Sequence, residues 1–124
     1  MKNVISSNKA PAAVGPYSAG IATASAVYLS GQLPIDPETG VMPEGIEAQT
    51  EQSLKNVKAL LEETGLSFDN VVKTTVLLSD IADFSAMNAV YEKTFKAPFP
   101  ARSAFAVKAL PKGALIEIEC IAIK

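Results

Sequence analysis

The chain has 124 residues and a hydrophobic content of 48%, which is the size and composition of one domain rather than two. Eleven basic against thirteen acidic side chains give a formal net charge of −2, so no basic patch for nucleic acid or an anionic membrane is expected. No apolar run reaches the roughly 18 residues that span a bilayer. We therefore expect a single domain over residues 1–124 with no nucleic-acid or membrane partner.

The first third of the chain reads as short strands separated by loops. Three β-like segments cover Val4–Ser6, Ser18–Thr23 and Val27–Ser30. Ala24-Ser25 predicts a tight turn between the last two segments. The residues that follow, 30–40, are dense in Gly, Pro and Asp and predict a loop.

The middle of the chain alternates helix and strand patterns. Residues 46–64 carry apolar side chains at three- and four-residue steps, which predicts an amphipathic helix. Gly65 stands where a glycine typically ends a helix. The β-branched run Val71–Leu78 predicts a buried strand. A second helix is predicted over Ala82–Lys96, with an apolar stripe made of Phe84, Met87, Tyr91 and Phe95.

Two more strands are predicted at the end of the chain, over Arg102–Ala109 and Leu115–Ile123, with residues 110–114 joining them as a hairpin. The order β-β-β-α-β-α-β-β predicts an α+β fold in which two helices cover one face of a mixed sheet. The other face of that sheet needs cover. Another copy of the chain can supply it, so we expect a homo-oligomer.

The residue types that are missing restrict the chemistry. The chain has no histidine and a single cysteine, Cys120. This excludes Ser-His-Asp sites, Cys-His sites, and metal sites built from histidines or several cysteines within one chain. No glycine-rich phosphate loop is present. A lone cysteine forms no internal disulfide, so cytoplasmic residence is the default expectation.

Three charged side chains near the carboxyl terminus are the leading functional candidates. Arg102 opens a strand, and its guanidinium fork matches a carboxylate, although a solvated strand end explains the position as well. Glu117 and Glu119 alternate with isoleucines, so a period of two places both carboxylates on one strand face. That face is either in water or part of a subunit interface. In a desolvated cleft the pKa of a carboxyl rises, which suits a general acid or base.

Four uncharged residues are further candidates, each with a plain structural alternative. Asn88 shares the apolar stripe of the second helix and needs partners for its amide, from the backbone or from a ligand. Tyr17 offers a hydroxyl from a loop constrained by glycine and proline, or it packs. Ser30 and Gly31 end a strand, where glycine permits close approach of a ligand or simply makes a turn.

Several short motifs, taken together and in order, resemble one family over nearly the whole chain. The chain resembles the Rid/YjgF family, in its reactive intermediate/imine deaminase A branch. Each motif is weak alone, whereas the set at this spacing is specific. The motifs are Ala10-Pro11-Ala12-Ala13-Val14-Gly15-Pro16-Tyr17-Ser18, Ser30-Gly31-Gln32-Leu33-Pro34, Asn70-Val71-Val72-Lys73-Thr74-Thr75-Val76, Phe99-Pro100-Ala101-Arg102-Ser103, Leu110-Pro111-Lys112 and Ile116-Glu117-Ile118-Glu119.

This resemblance implies a chorismate-mutase-like fold and a homotrimer with active clefts between subunits. It implies hydrolysis of 2-iminobutanoate and 2-iminopropanoate, released by pyridoxal-phosphate enzymes, to 2-keto acids and ammonia, with no cofactor and no metal in the enzyme itself. By resemblance Arg102 clamps the substrate carboxylate and Glu117 activates water, with Glu119 as a second possible carboxylate. The family positions that line the cleft correspond to Tyr17, Ser30, Gly31 and Asn88.

Two other functions remain open at this point. Some relatives are described as endoribonucleases or translation inhibitors, against which the acidic charge balance and the missing histidine argue. A non-catalytic module that binds small 2-keto acids is the other alternative. Such a module would need Arg102 but not Glu117.

Overall fold

The computed structural model describes all 124 residues, and it contains six strands and two α-helices, with three short 3₁₀ turns. The strands are β1 (Asn3–Ile5), β2 (Gly20–Ala22), β3 (Ala26–Gln32), β4 (Val71–Leu78), β5 (Ala101–Ala106) and β6 (Ile116–Ile123), and the helices are α1 (Ile46–Glu62) and α2 (Phe84–Thr94). The predicted β-β-β-α-β-α-β-β order is confirmed.

The six strands form one mixed sheet in the order β1-β2-β3-β6-β4-β5. All neighbours are antiparallel except β4 and β5, which are parallel. The predicted hairpin between the last two strands is therefore wrong, because β4 lies between them. Strand β6 alternates buried apolar residues along its length and takes a central position, whereas the mostly exposed β5 lies at the sheet edge.

Both helices cover the same face of the sheet, as predicted, and form the core with it. The end of α1 has the expected geometry, since Gly65 has a φ of 75° and the Leu66 N–H donates to the Leu61 carbonyl at 3.1 Å. The tight turn between β2 and β3 is also confirmed, with the Thr23 N–H donating to the Ala26 carbonyl at 2.8 Å. The fully buried core side chains include Val27, Val76, Ile116, Ile118, Leu60, Leu61 and Met87.

The opposite face of the sheet, here called the open face, has no helix over it. Large apolar side chains lie on it nearly half exposed, namely Tyr28 at 48%, Phe105 at 49% and Ile123 at 43%. Glu117 and Glu119 lie on the same face, because they alternate with the buried residues of β6. No helix in the structure has the length and apolar character needed to cross a membrane.

Candidate active site

Arg102 is held in place by α2 rather than solvated at a strand end. Its Nη1 donates to Asn88 Oδ1 at 2.7 Å, and its guanidinium lies over the rings of Tyr91 at 4.8 Å and Phe84 at 5.4 Å. These contacts fix the guanidinium by a hydrogen bond and by cation–π attraction. The expectation that Asn88 bonds to backbone is replaced by a direct bond to Arg102.

The Tyr91 ring is in turn fixed by a hydrogen bond to the sheet. Its hydroxyl and that of Thr74 share a buried hydrogen bond of 2.7 Å, and burial raises the pKa of the Tyr91 hydroxyl. Around Arg102 the surface forms an open cleft of about 520 Å³, here called the Arg102 cleft. It is lined by Asn88, Tyr91, Glu92, Phe99, Pro100 and Arg102. A small carboxylate can enter this cleft and reach the guanidinium fork.

The Glu117 side chain fits into a space left by a β-bulge in β3. Leu29 pairs with Cys120 and Gln32 pairs with Ile118, so Ser30 and Gly31 form a β-bulge opposite β6. The predicted strand end at Ser30 is thus wrong, since β3 continues through the bulge to Gln32. A Cβ on Gly31 would lie 2.5 Å from Glu117 Oε2, so only glycine leaves room for this carboxyl.

Glu117 and Glu119 differ in their surroundings although they share a strand face. Glu119 Oε2 accepts a hydrogen bond from Thr75 Oγ1 at 3.2 Å, and this side chain is exposed. Glu117 is partly buried, and the pKa of its carboxyl is raised by desolvation first and by the charge of Glu119 second. A carboxyl of this kind gives and takes a proton more readily near neutral pH than an ordinary glutamate.

A second cleft of about 710 Å³ surrounds this carboxylate pair, and it is called the Glu117 cleft below. Three predicted site residues, Tyr17, Ser30 and Gly31, lie in its walls. Ser30 Oγ donates to the Ser18 carbonyl at 2.6 Å, which ties the bulge to the loop that carries Tyr17. The structure therefore brings the predicted residues together in two groups, one around Arg102 and one around Glu117.

The two groups lie on opposite faces of the sheet. Arg102 is in register with Thr74, which is fully buried on the helix-covered face. Glu117 is in register with Leu77, on the open face. Within one chain the sheet therefore separates the guanidinium from the carboxyl, and the two side chains line different clefts.

Comparison with known proteins reveals the relatives of this chain. A family model described as endoribonuclease L-PSP matches residues 7–124. A 2-iminobutanoate/2-iminopropanoate deaminase from Capra hircus is 49% identical over 125 residues, covering 100% of this chain and 91% of the relative. A protein of the same name from Salmonella typhimurium is 49% identical over 127 residues, covering 100% and 99%.

The chain belongs to the Rid/YjgF family. Among solved structures, E. coli TdcF with bound serine matches with a TM-score of 0.95 at 41% identity and covers 98% of each chain. The expected chorismate-mutase-like α+β fold is confirmed by this likeness.

Two buried amides of α1 fix backbone segments of this Rid/YjgF member, one of them in the wall of the Glu117 cleft and the other before β6, and neither is among the residues predicted from the sequence. Asn56 Nδ2 donates to the carbonyls of Leu33 and Ile35 at 2.9 and 3.0 Å. Gln49 Oε1 accepts from the Leu115 N–H at 2.8 Å, just before β6 begins. A detectable signal was present, because both amides occupy positions on the inward side of an amphipathic helix, where a polar side chain needs partners.

Cys120 is part of the buried core. The thiol is buried beneath the helices, and desolvation, followed by the charge of Glu119, raises its pKa to about 12. A thiol with this pKa is protonated at neutral pH and is a poor nucleophile. The polar groups that line the two clefts are arginine, carboxyl, amide, hydroxyl and lysine groups, and the thiol is not among them.

Proposed function

We propose that the protein is an enzyme that hydrolyses small 2-imino acids, of the 2-iminobutanoate and 2-iminopropanoate class, to 2-keto acids and ammonia. Two relatives named for this activity are 49% identical over the whole chain. The structural observation that carries the proposal is the state of Arg102. Its guanidinium is fixed by an amide oxygen and two rings, none of them anionic, and it borders an open cleft.

The reaction needs a carboxylate clamp, a positioned water and a proton carrier. Arg102 binds the carboxylate of the substrate and fixes the position of the imine carbon. Glu117 takes a proton from water as the oxygen attacks that carbon, giving a tetrahedral carbinolamine. The same carboxyl then returns that proton to the nitrogen, and the carbon–nitrogen bond breaks as ammonia leaves. The ionised carboxylate takes the remaining hydroxyl proton as the carbonyl of the 2-keto acid forms, and it releases to solvent this proton, which balances the one carried in by the protonated imine. Since an imine carbon is already electrophilic, we propose that no metal or cofactor takes part.

We further infer that the working form is a homotrimer with sites between copies. Arg102 and Glu117 lie on opposite sheet faces, so one chain alone supplies only half of the site. In the trimer, Arg102 of one copy meets Glu117 of a neighbouring copy. The half-exposed Tyr28, Phe105 and Ile123 on the open face support association, because burying them against another copy removes apolar surface from water.

The chain acts as one domain in this proposal. Strand β6, at the end of the chain, lies between β3 and β4, so both halves of the sequence share one sheet. We assign the protein to the cytoplasm and assign it no nucleic-acid partner. A buried unpaired thiol at Cys120 and the net charge of −2 support these assignments.

The deciding experiment is a coupled assay. The protein is added to a serine or threonine dehydratase that releases the imine, and formation of the keto acid is compared with the spontaneous rate. Acceleration that disappears in Arg102→Ala supports the proposed reaction and the clamp. If the protein does not accelerate the reaction but still binds 2-ketobutanoate, the result would favour a non-catalytic binding module over an enzyme. Cleavage of RNA by tag-free protein would revive the endoribonuclease alternative.

A further inference from the structure

One residue that lines the Glu117 cleft has an unfavourable backbone conformation. Lys112 is the only non-glycine residue with a positive φ, at φ 58° and ψ 22°. Gly113 follows at φ 70°, and the Ala114 N–H donates to the Pro111 carbonyl at 3.1 Å. Two successive left-handed residues closed in this way form a type I′ turn, whose first position strongly prefers asparagine, aspartate or glycine.

Lysine is disfavoured at this position for a steric reason. In the left-handed conformation its Cβ comes too close to the following carbonyl oxygen, whereas glycine avoids the contact and asparagine tolerates it. Backbone outliers of this kind concentrate at functional sites, where the surrounding structure maintains them. The turn borders the cleft directly, since Pro111 and Lys112 both line it.

The charges of the cleft indicate what this lysine does there. Lys112 is the only cationic side chain among the lining residues, and it shares the cleft with Glu117, Glu119 and the hydroxyl of Tyr17. The two carboxylates repel an anionic substrate. A single ammonium in the lining offsets part of that repulsion and attracts anions from solution.

We propose that Lys112 is a specificity-determining residue that draws anionic substrates into the Glu117 cleft against the repulsion of its two carboxylates. This inference rests on the proposed function, because it takes a 2-imino acid as the substrate. Arg102 holds the carboxylate once the substrate is bound, and Lys112 acts on its entry and retention. Asparagine or glycine would relax the turn but would remove the charge.

The test separates charge from backbone conformation. Lys112→Gln removes the charge and keeps the disfavoured conformation, Lys112→Asn removes the charge and suits the conformation, and Lys112→Arg keeps the charge. Lys58→Gln, on the exposed side of α1, is the matched control for net charge. For each protein, kcat and KM of imine hydrolysis are measured at low and high salt, together with the temperature of unfolding.

We expect KM to rise roughly fivefold in Lys112→Gln and Lys112→Asn at low salt. This factor corresponds to the attraction between two opposite unit charges that are in contact and screened by water. The difference from the unmodified protein should shrink as salt is added. Lys112→Arg and Lys58→Gln should keep the original KM. Lys112→Asn should unfold at the same or a higher temperature, which would exclude loss of folding as the cause.

An unchanged KM in both charge-removing variants would overturn the proposal and leave the turn with a structural role alone. An equal rise of KM in Lys58→Gln would also overturn it, because net charge would then be the cause. If the unmodified protein accelerates no imine hydrolysis, the proposed function fails instead. The Kd of 2-ketobutanoate, measured by calorimetry on the same variants, then tests Lys112 independently, with a weaker Kd only in the charge-removing variants as the supporting result.

Discussion

Arg102 and Glu117 point to opposite faces of one sheet, because Arg102 pairs with Thr74 of the buried face and Glu117 pairs with Leu77 of the open face. In the proposed trimer, the site is complete only where two copies meet. This relationship makes complementation between inactive variants the sharpest test of the assembly.

Mixing Arg102→Ala with Glu117→Gln should restore activity that neither variant has alone. In a cyclic trimer of random composition, about a quarter of all sites would pair an intact Arg102 with an intact Glu117. The variants are mixed after partial unfolding and refolding, and imine hydrolysis is measured beside each variant treated alone. Sedimentation analysis gives the mass of the assembly. No recovery in a confirmed mixed trimer would place the two residues in separate functions.

Arg102→Ala should lower kcat/KM by at least about tenfold to a hundredfold, since one charge-assisted hydrogen bond is worth roughly 1.5–3 kcal/mol. Arg102→Lys is the matched variant, because it keeps the positive charge but lacks the planar fork. We expect Arg102→Lys to be impaired also, though less. Full activity of Arg102→Ala would remove this residue from the site.

Asn88→Asp should weaken substrate binding more than Asn88→Ala. The new carboxylate would stand where Asn88 Oδ1 now accepts from Arg102 at 2.7 Å, and it would occupy the guanidinium as an internal competitor of the substrate. Asn88→Ala removes the same hydrogen bond without adding charge. The comparison is made on KM and on the Kd of 2-ketobutanoate. Equal values in the two variants would contradict the internal competition, and values in Asn88→Ala equal to those of the unmodified protein would show that Asn88 does not orient the clamp.

The pH dependence of activity should report Glu117. The base form of this carboxyl is the ionised one, and its pKa is raised, so activity should fall with decreasing pH earlier than an ordinary glutamate would cause. Glu117→Gln should reduce kcat strongly, while the binding of 2-ketobutanoate is kept or becomes tighter, because the variant removes one of the two charges that repel the anion. If Glu119→Gln has this effect instead, Glu119 is the carboxylate that activates water.

Glu119→Gln should move the acid limb of the pH profile to lower pH. The charge of Glu119 is the second cause of the raised pKa of Glu117, so removing that charge makes Glu117 easier to ionise. Thr75→Val, which removes the hydrogen bond to Glu119, is the control that leaves the charge in place. An acid limb at the original pH in Glu119→Gln would mean that the two carboxylates are uncoupled.

Gly31→Ala should displace the Glu117 carboxyl, because the added Cβ would lie 2.5 Å from Glu117 Oε2. We expect a large loss of kcat with a smaller loss of stability, since the end of a side chain can move where a backbone cannot. The double variant Gly31→Ala with Glu117→Ala removes the clash. Its unfolding temperature should therefore equal that of Glu117→Ala alone. A lower unfolding temperature in the double variant would show that Gly31 stabilises the fold by something other than the room it leaves for Glu117.

Patterns within single segments were enough to predict the helices, the order of the strands along the chain and the polar groups available for chemistry. The repeats of Leu54, Val57, Leu60 and Leu61 predict α1, and the alternation of Ile116 to Glu119 places both carboxylates on one face, because each pattern reflects burial within a single element. The absence of histidine likewise limits, from composition alone, which side chains can act as an acid, a base or a metal ligand. The family motifs predicted the proposed site residues one by one.

Which of these residues come together depends on how the strands pair in the folded chain. The insertion of β6 between β3 and β4 replaced the predicted hairpin, and it set Arg102 and Glu117 on opposite faces. The bulge at Ser30 and Gly31, the Asn88–Arg102 bond and the strained Lys112 also appear only there. Local periodicity shows which side of an element is buried, but pairing between strands far apart in sequence depends on long-range contacts that no single segment encodes.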